Sequence, residues 1–368
     1  MRVVILYNSS WYVFLLRRNL ISSLRELGHQ VTVIAPVDRY TDRVKQMGVS
    51  FIPIKIDGAG RSPIAEACSV ASIGRALKAT APQAVLSFTV KCNLYAGLCR
   101  RFIEFKHIAN VSGLGELFDP SSKLRSAANL MYRLALKRTN HVFFQNEQDK
   151  DFLVKNGAVS SLTAKVIPGS GVDLDRFTQE QRVPSTARSF LMFGRLLPKK
   201  GFDLFVEAAR EIKQRHGGAV NFWVMGAPDP SRSESAELLE RVNRAHAEGV
   251  IRYLQSTDDP LPIIRESDAV VLPSTYNEGI PRSLLEALAC GKPVITTDWK
   301  GCRETVEEGR NGYLVKPGDT DSLVRAIESL ALKSPEHLLE LGRNSRALAE
   351  RRFDEKIVIK AYREALEA

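Results

Sequence analysis

Four charged residues in the second half of this 368-residue chain stand at the ends of apolar runs: Arg195, Lys200, Glu278 and Glu286. Glu278 and Glu286 flank the run Gly279-Ile280-Pro281-Arg282, which follows the buried strand pattern Asp268–Pro273 (DAVVLP). Pro281 suits the first position of a helix, where a missing N–H costs nothing. The amides of Gly279 and Ile280 are then left without partners inside the helix. A helix start of this kind carries partial positive charge and free donors, which favour phosphate. A carboxylate beside a phosphate would repel it, so the two acids have to serve hydroxyls, and an ionised carboxylate can accept two hydrogen bonds from a diol. A turn whose acids only cap the helix would have the same sequence. Upstream, Phe193-Gly194-Arg195 ends another strand pattern. Gly194 lets backbone approach a ligand, and Arg195 and Lys200 put two cations where a departing pyrophosphate would develop charge. An ordinary lysine-rich surface loop is the alternative there.

Strands and helices alternate along the whole chain. Short apolar runs at 2–7, 30–35, 49–56, 84–88, 106–111, 141–145 and 165–167 are separated by helical periods, among them 14–27, 40–47, 69–80, 93–102, 123–138 and 149–156. Residues 8–12 read as a loop. The pattern restarts at Phe190 after a polar stretch, Gln179–Ala187, that contains Pro184. Alternation of this kind predicts parallel sheets covered by helices on both faces. The expected fold is therefore α/β, with two tandem doubly wound Rossmann-like domains facing across a cleft. The first covers 1–180 and the second 186–353, with a terminal helix in 354–368 able to pack back on the first.

Composition narrows the function. An apolar content of 44% and a charged content of 26% are those of a soluble globular protein. Cys68, Cys92, Cys99, Cys290 and Cys302 form no C-x-x-C pair, which argues against a zinc site or a disulfide framework and fits a reducing cytoplasm. No run approaches the ~20 apolar residues of a membrane span. Residues 1–180 hold 24 Lys+Arg against 14 Asp+Glu, a net of +10, and the remainder holds 28 of each, so the whole excess lies in the first half. That half should face something anionic: nucleic acid, a membrane surface or a phosphorylated acceptor.

The two glutamates with Gly-x-Pro between them resemble the E-x7-E signature of retaining GT-B glycosyltransferases of family 4. Arg195 and Lys200 stand at the spacing of that family's G-R-x4-K-G element, about 80 residues earlier and in the expected order. Gly291–Asp298, Glu304, Asn311–Val315 and Gly171-Val172-Asp173 with Phe177 are similar to further family segments. The resemblance implies a nucleotide-sugar donor, UDP-linked, on the second domain. Gly194, Arg195 and Lys200 would hold its diphosphate, with Gly279, Ile280, Pro281 and Arg282 assisting. Glu286 would bind the ribose hydroxyls and Glu278 would sit by the transferred sugar. It also implies front-face transfer with retention, without a protein nucleophile and without a metal or other cofactor, because fixed cations take the metal's place.

On the first domain the family's Gly-Gly turn is replaced by Asn8-Ser9-Ser10, and Ser112-Gly113-Leu114-Gly115 forms a second Gly-rich turn. That turn, with Pro36 and Tyr40-Thr41, resembles the subgroup that adds N-acetylhexosamine to polyprenyl-diphosphate-linked sugars. Asn8, Ser9, Ser10, Ser112, Gly113 and Gly115 are thus expected on the acceptor side. Helix 123–138 is amphipathic, with Arg125, Arg133 and Lys137 on its polar face. It is read either as a core-packing helix or as one that touches anionic lipid, together with Arg100–Ile103. The second reading makes the enzyme peripheral on the inner face of the cell membrane. His107 starts its strand and is given no role. A sugar-nucleotide 2-epimerase of the same architecture is the rival enzyme. No RNP, helix-turn-helix or zinc pattern supports nucleic acid as a partner.

Overall fold

The computed structural model describes residues 1–56, 62–115, 125–180, 187–230 and 232–368. Glu116 and most of the stretch Gln179–Ala187, with Pro184, lie outside them, as does the side chain of Arg125. The chain divides into two compact units, Met1–Ser170 with Lys356–Ala368, and Gly171–Glu355. The seam read from sequence at 180–186 thus differs from the division at Ser170. Residues from Gly171 onward belong with the second unit because Val172 is tied to its end: the Val172 amide donates to Phe353 O at 2.8 Å, and the Glu355 amide to Val172 O at 3.1 Å.

The first unit runs β1 (Arg2–Leu6), α1 (Ser10–Glu26), β2 (Gln30–Ala35), α2 (Thr41–Gln46), β3 (Ser50–Pro53), α3 (Pro63–Thr80), β4 (Ala84–Phe88), α4 (Val90–Cys99), β5 (Lys106–Val111), α5 (Arg125–Leu136), β6 (His141–Phe144), α6 (Glu147–Lys155) and β7 (Ala164–Val166). Its sheet is parallel, in the order β3-β2-β1-β4-β5-β6-β7. Strands buried on both faces read as near-continuous apolar runs, as Ala84–Phe88 does with Ser87 as its one polar residue. The strand order reverses between β1 and β4, and ligands of such folds bind outside the carboxyl ends at a reversal.

The second unit runs β8 (Arg188–Phe193), α7 (Phe202–His216), β9 (Val220–Gly226), α8 (Ser233–Ala247), β10 (Arg252–Gln255), α9 (Leu261–Glu266), β11 (Ala269–Leu272), α10 (Arg282–Ala289), β12 (Val294–Thr297), β13 (Gly312–Val315), α11 (Thr320–Ala331) and α12 (Pro335–Leu348). The order β10-β9-β8-β11-β12-β13 reverses between β8 and β11. The last helix, α13 (Glu355–Glu367), packs with the first unit from Lys356 onward. No helix among the described residues is long and apolar enough to cross a membrane.

Local differences from the sequence reading have local causes. Helix α1 starts at Ser10, inside the expected loop, because Asp38 holds its first turn: one carboxylate oxygen accepts from Ser9 Oγ at 3.1 Å and from the Trp11 amide at 3.0 Å. Pro281 lies one residue before α10 with extended backbone, and its carbonyl accepts from Leu284 and Leu285. It is the cap residue and not the first helical one. Cys302–Val306 forms a single 3-10 turn, Arg303–Thr305.

Candidate active site

The charged residues singled out in the second unit gather on the carboxyl edge of its sheet, on both sides of the β8/β11 reversal. From β8 the chain passes through Gly194, whose φ of +147° favours glycine. Gly226 lies beneath it, where a Cβ would come within 2.2 Å of Gly194 O, so two backbones touch there. Arg195 follows, half-exposed, and pairs with Asp229 at 3.2 Å. A 3-10 turn, Pro198–Lys200, then carries Lys200 inward, only 8% exposed. Gly201 closes the turn at φ +86°, with Pro273 O only 2.3 Å from where a Cβ would stand. The Thr275 amide donates to Lys199 O at 2.8 Å, so the loop after β11 is fastened to this turn.

From the β11 side, that loop brings Glu278 to Lys200, with Nζ and Oε1 2.5 Å apart and the lysine above the Tyr276 ring. Gly279 O packs against Gly301, where a Cβ would meet it at 2.0 Å. The amides of Gly279 and Ile280 donate no hydrogen bond among the described residues, which leaves donors in the mouth of the site. Glu286 sits on the second turn of α10, buried, and its Oε1 accepts from Arg282 Nε at 2.8 Å. Burial raises the Glu286 pKa above the ordinary carboxylate value, and Arg282 and Arg176 oppose that rise. Arg282 also donates to Gly171 O at 2.9 Å. Its guanidinium therefore braces Glu286.

The site thus holds alternating charge: Arg195 with Asp229, Lys200 with Glu278, and Arg282 with Glu286. Sequence reasoning missed Asp229, Arg176, Gly226 and Gly301. Gly226 ends β9, the strand next to β8, and Asp229 follows it; only the sheet order reveals that neighbourhood.

In the first unit the acceptor-side residues divide. Ser10 is buried, with its hydroxyl on Pro36 O at 2.7 Å, and Ser9 is bound to Asp38. Both fasten the loop, leaving Asn8 as the group with capacity to spare, since its buried Oδ1 has no partner. Ser112, Gly113 and Gly115 follow β5 on the same carboxyl edge; Gly113 and Gly115 have φ of +129° and +66°, with open space at the Gly115 Cβ position. Arg17, on α1, was not anticipated. It is buried with its guanidinium carbon 4.1 Å over Phe88, and its Nε has no partner among the described residues. His107 is fully buried between Ser87 Oγ at 2.8 Å and Thr139 Oγ1 at 3.0 Å, and burial first, then Arg100, holds its pKa down to about 3. That is a structural histidine.

Helix α5 exposes Arg133 and Lys137 as expected but buries only part of its apolar arc. Ala128, Tyr132, Ala135 and Leu136 are its buried side, pressed so close to α4 that a Cβ on Gly97 would lie 2.2 Å from Ala135 O. Leu130, Met131 and Leu134 are exposed beside Arg133 and Lys137. The two backbones touch at Gly97 and Ala135, Tyr132 and Leu136 are buried beside them, and Leu130, Met131 and Leu134 remain outside.

Two family profiles match the chain: "Glycosyl transferase 4-like domain" over residues 17–169 and "Glycosyl transferases group 1" over 174–348. Among curated relatives, the N,N'-diacetylbacillosaminyl-diphospho-undecaprenol alpha-1,3-N-acetylgalactosaminyltransferase of Campylobacter jejuni is 27% identical over 98% of this chain and 97% of its own length. The UDP-Gal:alpha-D-GlcNAc-diphosphoundecaprenol alpha-1,3-galactosyltransferase of Escherichia coli is 27% identical over 56% of each chain. Among solved structures, Anabaena HepE in complex with UDP and glucose superposes with a TM-score of 0.83 at 19% identity, covering all of both chains. A glycosyltransferase from Rickettsia africae superposes with 0.80 at 18% identity, covering 100% of this chain and 97% of that one.

Proposed function

The chain belongs to the GT-B glycosyltransferases of family 4, and on that premise we propose that it moves an N-acetylhexosamine from a UDP-sugar to a hydroxyl of a polyprenyl-diphosphate-linked sugar, with retention of anomeric configuration. The donor diphosphate lies between Arg195 and Lys200, with the amides of Gly279 and Ile280 completing its shell. As the bond to the sugar breaks, electrons move onto the diphosphate and the anomeric carbon gains positive character. Fixed cations that need no rearrangement at that moment lower the barrier. Lys200 has to exchange Glu278 for phosphate, and Glu278 is then released toward the sugar hydroxyls. Glu286, held by Arg282 through one oxygen, has its other oxygen available for the ribose hydroxyls. The acceptor hydroxyl attacks from the face the diphosphate leaves, and a departing phosphate oxygen takes its proton. Arg195 and Lys200 take the place of a divalent metal, so transfer proceeds in EDTA.

The observation that carries this reading is the Lys200–Glu278 pair, set at the strand-order reversal beside two open amides. The acceptor class is supported by likeness, over nearly the whole chain, to an enzyme named for a diphospho-undecaprenol acceptor. A lipid-linked acceptor also gives a use to the excess of positive charge in the first half and to the exposed Leu130, Met131 and Leu134. We place the enzyme at the cytoplasmic surface of the membrane, where five free cysteines stay reduced. The test is incubation with UDP-N-acetylhexosamines and a short-chain polyprenyl-diphosphate sugar, in EDTA, with the product linkage read by NMR. A new alpha-linked sugar on the lipid supports the reading. UDP and free altered sugar formed without acceptor would replace it with an epimerase.

A further inference from the structure

A hollow of about 620 Å³ opens in the first unit, away from the carboxyl edge where the chemistry lies. Its walls are the end of α4 with the loop Arg100–Phe105, and the end of α5 with Arg138. Phe105 leads into β5 and Arg138 into β6, so the hollow belongs to the amino edge of the sheet. Three guanidiniums line it, those of Arg100, Arg101 and Arg138, against one acid, Glu104. None of the four forms an ion pair among the described residues. Backbone bonds set two of them in place: Arg100 Nε donates to Phe105 O at 3.1 Å, and an Arg101 terminal amine to Leu134 O at 3.3 Å. Burial and the nearby Arg138 both lower the Arg100 pKa, as expected where like charges are held together without a counter-ion.

The rim is apolar. Phe102 is 88% exposed, and Leu134 on α5 is half out in solvent, continuing to Met131 and Leu130. Aromatic and aliphatic side chains that project beside uncompensated arginines match the boundary between lipid headgroups and acyl chains. A soluble phosphate ligand would use the arginines and leave Phe102 without a purpose.

We propose that this hollow seats the phosphate of an anionic phospholipid headgroup, with Phe102 and Leu134 entering the acyl region beside it. Arg100 and Arg138 flank the phosphate, and Arg101, fixed across to α5, keeps the two walls at their spacing. This deepens the membrane part of the proposed function and rests on it. The identity of donor and acceptor does not enter, because the hollow and the reaction edge lie at opposite ends of the strands.

The experiment is flotation of the full chain with vesicles of phosphatidylcholine alone or with a quarter phosphatidylglycerol, at low salt, alongside transfer to a water-soluble acceptor analogue. Binding should require the anionic lipid. Removing a cation near an anionic surface costs about fivefold in binding, so Arg100→Gln with Arg138→Gln should weaken it about 25-fold. Arg133→Gln with Lys137→Gln, outside the hollow, should cost less. Phe102→Ser and Arg101→Gln are exposed changes that keep the fold and should each weaken binding. Transfer to the soluble analogue should be unchanged in all of them, and its loss in the parent protein would count against the proposed function alone. Unaltered vesicle binding in the Arg100/Arg138 and Phe102 variants overturns the proposal. So does displacement from vesicles by millimolar inorganic phosphate, which would make the hollow a site for a soluble anion.

Discussion

Lys200→Ala is the most informative single change. Its ammonium is held 2.5 Å from Glu278, and the two side chains are only 10% and 20% exposed. Deletion has two effects of different origin. In the resting protein Glu278 loses a charged hydrogen bond in a poorly solvated place, a loss of about 1.5–3 kcal/mol. For a unit of this size that lowers the melting temperature by several degrees, at about 2–4 °C per kcal/mol. In the reaction, the diphosphate loses one of two fixed cations, which by analogy with removal of one oxyanion donor costs about 10²–10³ in kcat. Glu278→Gln on the Lys200→Ala background separates the two, since it removes the stranded charge. The double variant should regain most of the lost melting temperature and none of the lost rate. The measurements are calorimetry and steady-state UDP release with saturating donor. A Lys200→Ala enzyme within threefold of the parent kcat, or a double variant that recovers rate together with stability, would refute the assignment and reduce the pair to a structural one.

Other outcomes follow from the same geometry. Glu286→Gln should raise the donor KM about tenfold or more, as one good carboxylate contact to a hydroxyl pair is lost. Because burial raises the native Glu286 pKa, the folded protein binds the extra proton, and stability falls as pH rises from the ordinary 4.5 to the native value. The Gln variant should lose that decline in pH-dependent melting curves. Gly301→Ala places a Cβ at 2.0 Å from Gly279 O at a φ of +79°, so kcat should drop and about 1–3 kcal/mol of stability be lost, by denaturant titration and rate. His107, bonded only to hydroxyls and facing Arg100, has a native pKa of about 3, below its ordinary 6.5. Its contribution is complete above 6.5 and is lost as pH falls toward 3; His107→Gln should show a flatter acid-side melting curve.

Much of the fold was legible because the strands of a parallel sheet announce themselves as mostly apolar runs, as Gln30–Ala35 and Ala84–Phe88 do, each matching its observed strand end to end. The start of α1 was hidden because it depends on Asp38, nearly thirty residues away, and no local signal marks Ser10 as helical. Which apolar residues of α5 would stay outside was hidden for a related reason. Periodicity shows that a helix has an apolar side, but the close approach of Gly97 to Ala135 decides which residues fill it. In the site, the two acids and two cations were readable from spacing, while their pairing was not. That Lys200 meets Glu278 follows from the adjacency of β8 and β11, which no linear pattern reports, whereas Arg282 and Glu286 stand one helical turn apart and pair within α10.

The last helix carries a consequence for how the protein is made. Tyr362 of α13 accepts a hydrogen bond from Asn110 at 2.6 Å and lies against Phe88 and Phe143, and Lys106 reaches Leu366 O at 2.8 Å. A ribosome finishes the second unit before it delivers these residues. The amino-terminal sheet must therefore wait, with an uncovered apolar surface, while some 185 intervening residues emerge and fold. Nascent chains stalled before residue 356 should consequently engage chaperones and be cut readily by protease within the first 170 residues, and release of the full chain should end both at once.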